Sequence, residues 1–194
     1  TFGNAYSFYG NYFIKNFGQW DSKVLYVASK PNYNFIVTQD ALMCDYFEIS
    51  QNGNNRRKNG QVVKINFENA GILGSRVELG RSSWRLNYLI GNNPSRWKTD
   101  VYGIEEITFH EIYSNVDLAV KFQGDVPRYD FIVKPGGDIS QIKISFDGAE
   151  VVGTDGKNIK LHTRFGEVIN GNLFAYQVEN GVFAEVECKF VQTS

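Results

Sequence analysis

The sequence predicts an all-β protein, an antiparallel β-sandwich, from three observations. Apolar and polar residues alternate with period two over short segments, so one face of each segment is apolar. Turn-forming residues end nearly every such segment, at intervals of roughly ten residues. The composition, with 15 Phe, 11 Tyr, 3 Trp and 19 Gly, supplies aromatic residues for half-buried pleated surfaces and glycines for turns. Short strands separated by such turns are typical of sandwiches and partly closed barrels.

The alternating segments follow one another along the chain, each with apolar residues at every second position. Their apolar sets are Val63, Ile65 and Phe67; Val116, Leu118, Val120 and Phe122; Tyr129, Phe131 and Val133; Ile142, Ile144 and Phe146; Ile159 and Leu161; and Val182, Ala184, Val186, Cys188 and Phe190. The predicted turns lie at residues 51–54, 59–60, 147–148, 155–156, 170–172 and 180–181. Residues 91–103 instead predict a short helix or an irregular turn.

Residues 135–138, Pro-Gly-Gly-Asp, form a glycine-rich segment between two predicted strands. A phosphate-binding loop of the usual kind is followed by a helix, because its backbone amides converge at the helix N-terminus. The residues that follow here, DISQIKISF, alternate as a strand does, and a proline followed by glycine suits a turn. The segment is therefore predicted to be a hairpin corner and not a ligand loop.

No low-complexity linker divides the chain, so residues 1–194 are predicted to form a single domain. The pair YNFIVTQD and VVKINFENA resembles the later pair YDFIVKPG and QIKISFDGAE. A duplication would produce two related halves, at about 24–73 and 115–190. Chance similarity is the alternative, because strands draw on few residue types.

The charge balance argues against nucleic acid as a partner. With 20 basic and 21 acidic residues the net charge is −1, so no global field attracts a polyanion. The basic run Arg56, Arg57 and Lys58 lies in a polar hairpin and is interpreted as a solvated loop. Because no run of 18 apolar residues occurs, we expect no membrane insertion.

Cys44 and Cys188 are the only cysteines. In an oxidising compartment they could form a disulfide that closes a loop of about 145 residues, and the entropic model gives such a bridge about 5 kcal/mol. The alternative is a pair of buried free thiols that act as small apolar residues. The sequence leaves both open.

Few residues in the sequence carry catalytic or metal-binding chemistry. His110 and His162 are the only histidines, and neither stands in a spacing typical of a metal site. The G-x-S-x-G pattern of a nucleophilic serine is absent from the sequence. The carboxylate pairs that could serve glycoside hydrolysis are Glu105 with Glu106 and Asp125 with Asp130. They are interpreted as solvated charges, so the sequence predicts no catalytic residue, no cofactor and no metal ligand, and it favours a non-enzyme.

Aromatic residues provide the candidate binding surface. Trp84, Trp97 and Tyr102 flank the irregular middle segment, and such rings stack on sugars or anchor protein interfaces. The alternative is that these rings are core or cover a sheet edge. A second group, which could instead form a strand docked on the sheet, crowds the N-terminus: Tyr6, Phe8, Tyr9, Tyr12 and Phe13.

The order of several motifs resembles a known family. FIKNFGQWDSKVLYVAS, LNYLIGNNPSRWKTDVYGIEEITFHEIYSNVDLAVKF, YDFIVKPGGDISQIKISFDGAE and LFAYQ are similar to consecutive blocks of a domain of unknown function. That domain is found at the N-termini of large secreted Bacteroidota proteins with SBBP-type β-propeller repeats and type IX secretion sorting domains. The similarity runs from about residue 13 to 190, with Gly137 in place of the usual Ala and Phe174 in place of the usual Pro.

The resemblance implies a β module that is secreted or displayed on the cell surface, and it brings no catalytic residues with it. We therefore expect a non-catalytic structural or adhesive module. Its expected partners are other domains of a larger chain or surface proteins. The alternative is a carbohydrate-binding or glycan-processing module, for which glycans would be the partners.

Overall fold

The computed structural model describes residues 10–52, 55–71 and 73–193. Within these ranges the regular secondary structure consists of strands, apart from two 3₁₀ turns at Pro94–Arg96 and Ile139–Gln141. The strands, in chain order, are β1 Phe13–Lys15, β2 Val24–Ser29, β3 Tyr33–Thr38, β4 Ala41–Asn52, β5 Asn55–Phe67, β6 Arg76–Arg81, β7 Leu86–Tyr88, β8 Lys98–Val101, β9 Gly103–Tyr113, β10 Val116–Gln123, β11 Val126–Val133, β12 Ile144–Asp147, β13 Glu150–Thr154, β14 Ile159–Thr163, β15 Gly166–Asn170, β16 Ala175–Glu179 and β17 Val182–Val186. The sheets are antiparallel, which confirms the predicted all-β class. The first 3₁₀ turn lies in the segment predicted to be irregular.

The chain forms two compact units, which divide after Ser145. We call the part up to Ser145 the large unit and the part from Phe146 the small unit. That they act as one domain, with related halves at about 24–73 and 115–190, stays a prediction.

Ten strands form one strongly curled sheet. Its order is β11-β10-β9-β1-β2-β3-β4-β5-β12, and β6 pairs with β9 in addition. Strand β9 changes partner along one edge, because Ile104 lies opposite Phe13 of β1 whereas Ile107 lies opposite Val120 of β10. Strand β6 covers the other edge over the same stretch. We call the place where β9 changes partner the β9 fork.

The main core lies inside the curl. The ring of Phe13 is 4.8 Å from that of Phe122 and 6.2 Å from that of Phe35. Phe67 of β5 contacts Phe131 of β11, with ring centroids 5.5 Å apart, although β5 and β11 stand near opposite ends of the strand order. The sheet therefore curls until its two ends face each other, and one sheet supplies both layers.

Strands β1 to β3 are buried on their outer face as well. There Ile14 packs with Tyr88 and Val101 of the β7–β8 hairpin. Trp20 packs against this cluster and against a neighbouring cluster that contains Ile36. Burial on both faces explains why VLYVA and FIV are continuous apolar runs and not alternating ones.

The small unit contains two small sheets. Strands β13, β14 and β15 form one of them, with Ile159 and Leu161 of β14 buried. Strands β16 and β17 form a separate two-stranded hairpin. Asn180 and Gly181 join its strands with φ angles of 50° and 79°, the conformation that a type I′ turn requires. The predicted Asn-Gly turn is confirmed there.

The glycine-rich segment 135–138 is a turn, but the prediction of a hairpin corner is wrong, because the flanking strands β11 and β12 pair with β10 and β5 and not with each other. Gly136 has a φ of 83°, and the Gly137 N–H donates to the Lys134 carbonyl at 2.9 Å. The expectation that a strand follows at once is wrong. The Asp138 carboxylate accepts from the Ser140 N–H at 2.9 Å and caps a 3₁₀ turn, so Ile142 precedes β12.

Two further local predictions need correction. Asn59 and Gly60 do not form a turn: they lie inside β5, where Gly60 is opposite Phe47. A Cβ at Gly60 would lie 3.2 Å from the Tyr46 carbonyl oxygen, so glycine serves a close approach of β4 and β5. The last strand also ends earlier than predicted, at Val186.

Candidate functional site

The three predicted surface aromatics contact different groups in the structure. Trp84 is half-buried and lies edge to face with Tyr12, with centroids 5.1 Å apart, against the Ile14 cluster. Trp97 is exposed, and its indole N–H donates to the Gly91 carbonyl at 3.0 Å. Tyr102 is half-buried, and its ring contacts Phe17, 6.0 Å away. That these three residues form a binding surface stays a prediction.

The predicted N-terminal aromatic strand is described only in part. Phe13 lies on β1 and is fully buried, and Tyr12 packs on Trp84. Tyr6, Phe8 and Tyr9 lie outside the described residues, as do the side chains of Arg56, Arg57 and Lys58.

Glu105 and Glu106 line a cleft beside the β9 fork. The cleft has a volume of about 650 Å³, and Tyr12, Lys121 and Phe122 also line it. The fork creates the opening, because the edge of β9 between Ile104 and Ile107 lies between the pairing regions of β1 and β10. The cleft brings together carboxylates, an ammonium group and two rings. Sequence reasoning named Tyr12, Phe122 and the two carboxylates in separate contexts and did not place them together with Lys121.

The second candidate carboxylate pair is engaged in structural contacts. Asp130 lies 2.9 Å from the Lys121 ammonium and pairs with the guanidinium of Arg128 on the same strand. Asp125 accepts a hydrogen bond of 3.1 Å from the Asn11 amide. These bonds fix the β10–β11 hairpin and the chain before β1.

A cluster that sequence reasoning missed lies around Asp117 on β10. The Asp117 carboxylate lies 3.1 Å from His110 Nδ1, and it accepts from the Lys134 ammonium at 2.7 Å and from the Glu111 N–H at 2.9 Å. Desolvation alone would raise the pKa of Asp117, but these hydrogen bonds outweigh it and lower the pKa to about 2. The pairing of β9 and β10 shifts register at this position, and Glu111 has a φ of 52°. The cluster therefore stabilises a β-bulge.

The sequence held one signal for this cluster. His110 and Asp117 flank the tight turn between β9, which ends at Tyr113, and β10, which begins at Val116. Glu111 is the carboxylate next to His110 in the sequence, but the β-bulge brings Asp117 to the imidazole.

A second missed cluster surrounds the fully buried Tyr26. Its hydroxyl donates to the Glu78 carboxylate and accepts from Arg76 Nε at 2.8 Å. Lys15 Nζ lies 2.7 Å from the same carboxylate. Desolvation would raise the pKa of Glu78, but the bonds from Lys15 and Tyr26 outweigh it, and the pKa is lowered. The cluster ties β6 to β1 and β2 across the core.

Cys44 and Cys188 are both free thiols in the structure. Desolvation raises the pKa of Cys44, on β4, to about 11. The Lys157 ammonium lies 3.5 Å from the sulfur of Cys188. The disulfide stays a prediction.

The β16–β17 hairpin is the most exposed apolar element of the small unit. One of its faces, together with the residue before β16, carries a cluster that we call the hairpin aromatic face: Phe174, Tyr176, Val178 and Phe183. Tyr176 stacks on Phe183 with centroids 4.3 Å apart, and Phe174 lies 5.9 Å from Tyr176. Their exposure ranges from 49% for Tyr176 to 66% for Phe183.

The opposite face of the hairpin is exposed too. Val182 is 67% exposed there, and every residue of β17 is exposed. Glu179, Glu185 and Glu187 are the charged residues between Phe174 and Cys188, a stretch without Lys or Arg. The hairpin is thus an apolar strand pair with acidic side chains.

Both strands of the hairpin pair only with each other among the described residues, so each has an outer edge. The hairpin is anchored at its base. The Leu173 N–H donates to the Lys157 carbonyl at 3.0 Å, and the Phe190 N–H donates to the Gly156 carbonyl at 2.7 Å. A fixed base and two unpaired edges make the hairpin a candidate docking element.

Comparison with known families agrees with the resemblance of the motifs. A family described as Domain of unknown function (DUF7948) matches residues 13–194. The chain belongs to this family. No curated protein and no solved structure matches it.

Two properties of the described part of this DUF7948 domain bear on its site. Neither of its short 3₁₀ turns approaches the length and apolarity of a membrane-crossing helix. Among the described residues, no three His, Cys, Asp or Glu side chains are grouped so that they could hold a metal ion.

Proposed function

We propose that this DUF7948 domain is a non-catalytic interaction module that docks onto a folded protein partner through the β16–β17 hairpin. The observation that carries this proposal is the exposure of the hairpin aromatic face, where Tyr176 stacks on Phe183, Phe174 lies against Tyr176, and Val178 is opposite Phe183 in the strand register. Exposed apolar patches with a polar rim are typical of protein interfaces. Acidic side chains supply that rim here.

The energetics of a two-stranded hairpin support docking. A hairpin of this size is marginally stable in water by itself. Complete burial of a Val or Phe side chain contributes about 1.5–3 kcal/mol. Covering Val178 and Phe183 would therefore stabilise the hairpin and the complex together.

The edges and charges define the class of partner. An open strand edge accepts a further strand through main-chain hydrogen bonds, and the side-chain pattern provides specificity. The acidic residues Glu179, Glu185 and Glu187 favour a partner strand flanked by Lys or Arg. Such a partner is another domain of the same polypeptide or a separate surface protein.

The setting of this module follows from the resemblance of the motifs. We propose that the domain is secreted or displayed on the cell surface of a bacterium of the Bacteroidota, in a protein with β-propeller repeats and a type IX sorting domain. A structural or adhesive role fits a rigid β module with one docking element.

The test is site-specific photo-crosslinking in the native polypeptide and its own cells. A photoreactive phenylalanine analogue would replace Phe183, and a matched variant would carry it at Val152, a 59% exposed position on β13 of the same unit. We expect position 183 to yield one defined adduct, mapped by mass spectrometry to another folded domain, and position 152 to yield none. The same adducts from both positions, or none from position 183, would contradict the proposal.

A further inference from the structure

We propose that the large unit has a second binding site, a cationic aromatic platform that holds the carboxylate of an acidic glycan. The platform consists of Phe17, Arg81, Arg85 and Tyr102, and we call it the arginine platform. It lies in a different unit from the hairpin and does not depend on the function proposed above.

Two guanidinium groups share one ring in this platform. The central guanidinium carbon of Arg81 lies 4.5 Å from the centroid of Tyr102, and that of Arg85 lies 5.6 Å from it. The chain fixes Arg81 at the end of β6, opposite Ile104. Tyr102 stands between β8 and β9. Stacking over an aromatic ring holds a guanidinium flat and leaves its N–H groups to point outward in its plane.

Arg85 and Arg81 differ in their hydrogen bonds. Arg85 Nη1 donates to the carbonyls of Ser82 at 2.8 Å and Trp84 at 3.0 Å, and its Nε lies 3.2 Å from the Asp100 carboxylate. Arg81 has no acceptor among the described residues, although its side chain is exposed and stacked. Arg85 therefore supports the ring and supplies local charge, and Arg81 presents a free planar fork to a ligand.

A planar fork of this kind matches a carboxylate, which accepts two parallel N–H bonds from a guanidinium. The local charges leave room for an anion. The negative charge of Asp100 is offset by its ion pair with Arg85. Lys98 adds a positive charge near Phe17, because its Cε lies 3.2 Å from the position that a Cβ would take on the adjacent Gly18. Glu105 is an opposing charge near this site, because its side chain lies over Gly80, next to Arg81.

The neighbouring ring points to a sugar as the carrier of the carboxylate. Phe17 is 43% exposed and lies edge to face with Tyr102, so it offers an apolar surface beside the fork. A pyranose ring can pack its C–H face on such a ring while its carboxylate reaches Arg81. Exposed side chains on an open surface suit a sugar ring better than a protein anchor, because anchors bind in well-packed pockets. A uronic acid glycan combines both features.

The test is calorimetric titration of the intact chain at about 0.15 M salt with three probes. These probes are oligogalacturonate, its fully methyl-esterified form and poly-L-glutamate. We expect oligogalacturonate to bind about tenfold or more tightly than either of the others, because only it offers both the carboxylate and the sugar face. Arg81→Ala and Arg81→Lys should each weaken this binding by about tenfold, since lysine keeps the charge and loses the fork.

Lys143→Ala is the matched control, an exposed charge of the same unit whose ammonium group makes no contact in the platform, and it should bind as the parent chain does. Thermal unfolding would verify that each variant is folded. Unchanged binding by a folded Arg81→Ala variant would overturn the proposal. Equal binding of poly-L-glutamate would also overturn it and would indicate an acidic protein partner. The absence of oligogalacturonate binding would overturn it as well.

Discussion

Strands β10 and β17 have the same kind of sequence and opposite surroundings. VDLAVKFQ and VFAEV both alternate and both pair in antiparallel hairpins. Strand β10 lies between β9 and β11 and faces the main core, so its first five residues are buried. In the described part of the chain, strand β17 pairs with β16 alone, and all five of its residues are exposed. Period-two alternation predicts a strand, and the neighbouring strands determine whether that strand is covered.

The carboxylates of the two strands repeat the contrast. Asp117 of β10 is buried and receives bonds from His110, Lys134 and a backbone N–H. Glu185 of β17 stands in solvent opposite Tyr176. The large unit is therefore held by its own contacts, whereas β17 leaves its side chains exposed.

The largest expected difference is between two phenylalanines. Phe109→Ala should lower the free energy of unfolding of the large unit by about 3–5 kcal/mol, because Phe109 is fully buried. Phe183→Ala should change the stability of the small unit by less than about 1 kcal/mol. Urea unfolding measures both. Tryptophan fluorescence reports the large unit, which holds Trp20, Trp84 and Trp97, and far-UV circular dichroism reports the whole chain. If the two substitutions lower the free energy of unfolding equally, the claim that the large unit depends on its buried side chains and the hairpin does not would be contradicted.

A smaller difference is expected between two glutamates. Glu78→Gln should cost about 2 kcal/mol, because it removes the charge that pairs with Lys15 and weakens the acceptor of the buried Tyr26 hydroxyl. Glu185→Gln, which removes the same charge from the exposed β17, should cost less than about 0.5 kcal/mol. The measurement is the urea midpoint of each variant at pH 7. If Glu78→Gln leaves the free energy of unfolding unchanged, the cluster contributes little to holding β6 against the core.

The acid limb of the stability curve sharpens the comparison further. The pKa of Asp117 is about 2 in the folded chain, whereas an unperturbed aspartate has a pKa of 3.8. Because folding lowers the pKa of Asp117, its ionised carboxylate stabilises the folded chain at every pH above 3.8. This stabilisation is lost as the pH falls from 3.8 towards 2. Asp117→Asn should flatten this limb and cost about 1 kcal/mol at neutral pH. Urea unfolding of the parent chain, Asp117→Asn and Glu185→Gln between pH 6 and 2 would measure it. If the free energy of unfolding of Asp117→Asn falls with pH as steeply as that of the parent chain, the bonds assigned to the Asp117 carboxylate do not lower its pKa.

The smallest effect concerns the rates at which the two thiols react. The raised pKa of Cys44, about 11, leaves little thiolate at pH 8, so its labelling should be about a hundredfold slower than that of Cys188. Single-cysteine variants and a thiol-specific chromogenic reagent would give both rates. Equal rates would contradict the desolvation of Cys44. A parent chain without reactive thiols even in denaturant would instead confirm the predicted disulfide.

Local structure could be predicted where the signal itself is local. The turns at Asn180–Gly181 and at Gly136 require positive φ angles, and Asn and Gly are the residues that adopt such angles most readily. Asn59 and Gly60 carry the same turn signal but lie inside β5, because pairing with β4 overrides it. The family match over residues 13–194 confirms the part of the resemblance that concerns a domain of unknown function, and the secreted Bacteroidota setting stays a prediction.

Contacts between distant parts of the chain could not be predicted. Tyr26 and Glu78 are 52 residues apart in sequence, and nothing in either segment announces the other. The cleft at the β9 fork and the stacking of Arg81 on Tyr102 depend in the same way on how the sheet curls. Sequence reasoning marked Tyr102 and Glu105, but it could not show which residues accompany them.

The most direct test of the account is hydrogen–deuterium exchange of the isolated chain, read at β10 and β17 in one sample. We expect the β10 amides to exchange only by global unfolding of the large unit. The amides of β17 should exchange many orders of magnitude faster, at a free energy of opening of about 0–2 kcal/mol, because no strand of the described chain other than β16 pairs with β17. Equal and strong protection of both strands would contradict the claim that β17 is open for a partner.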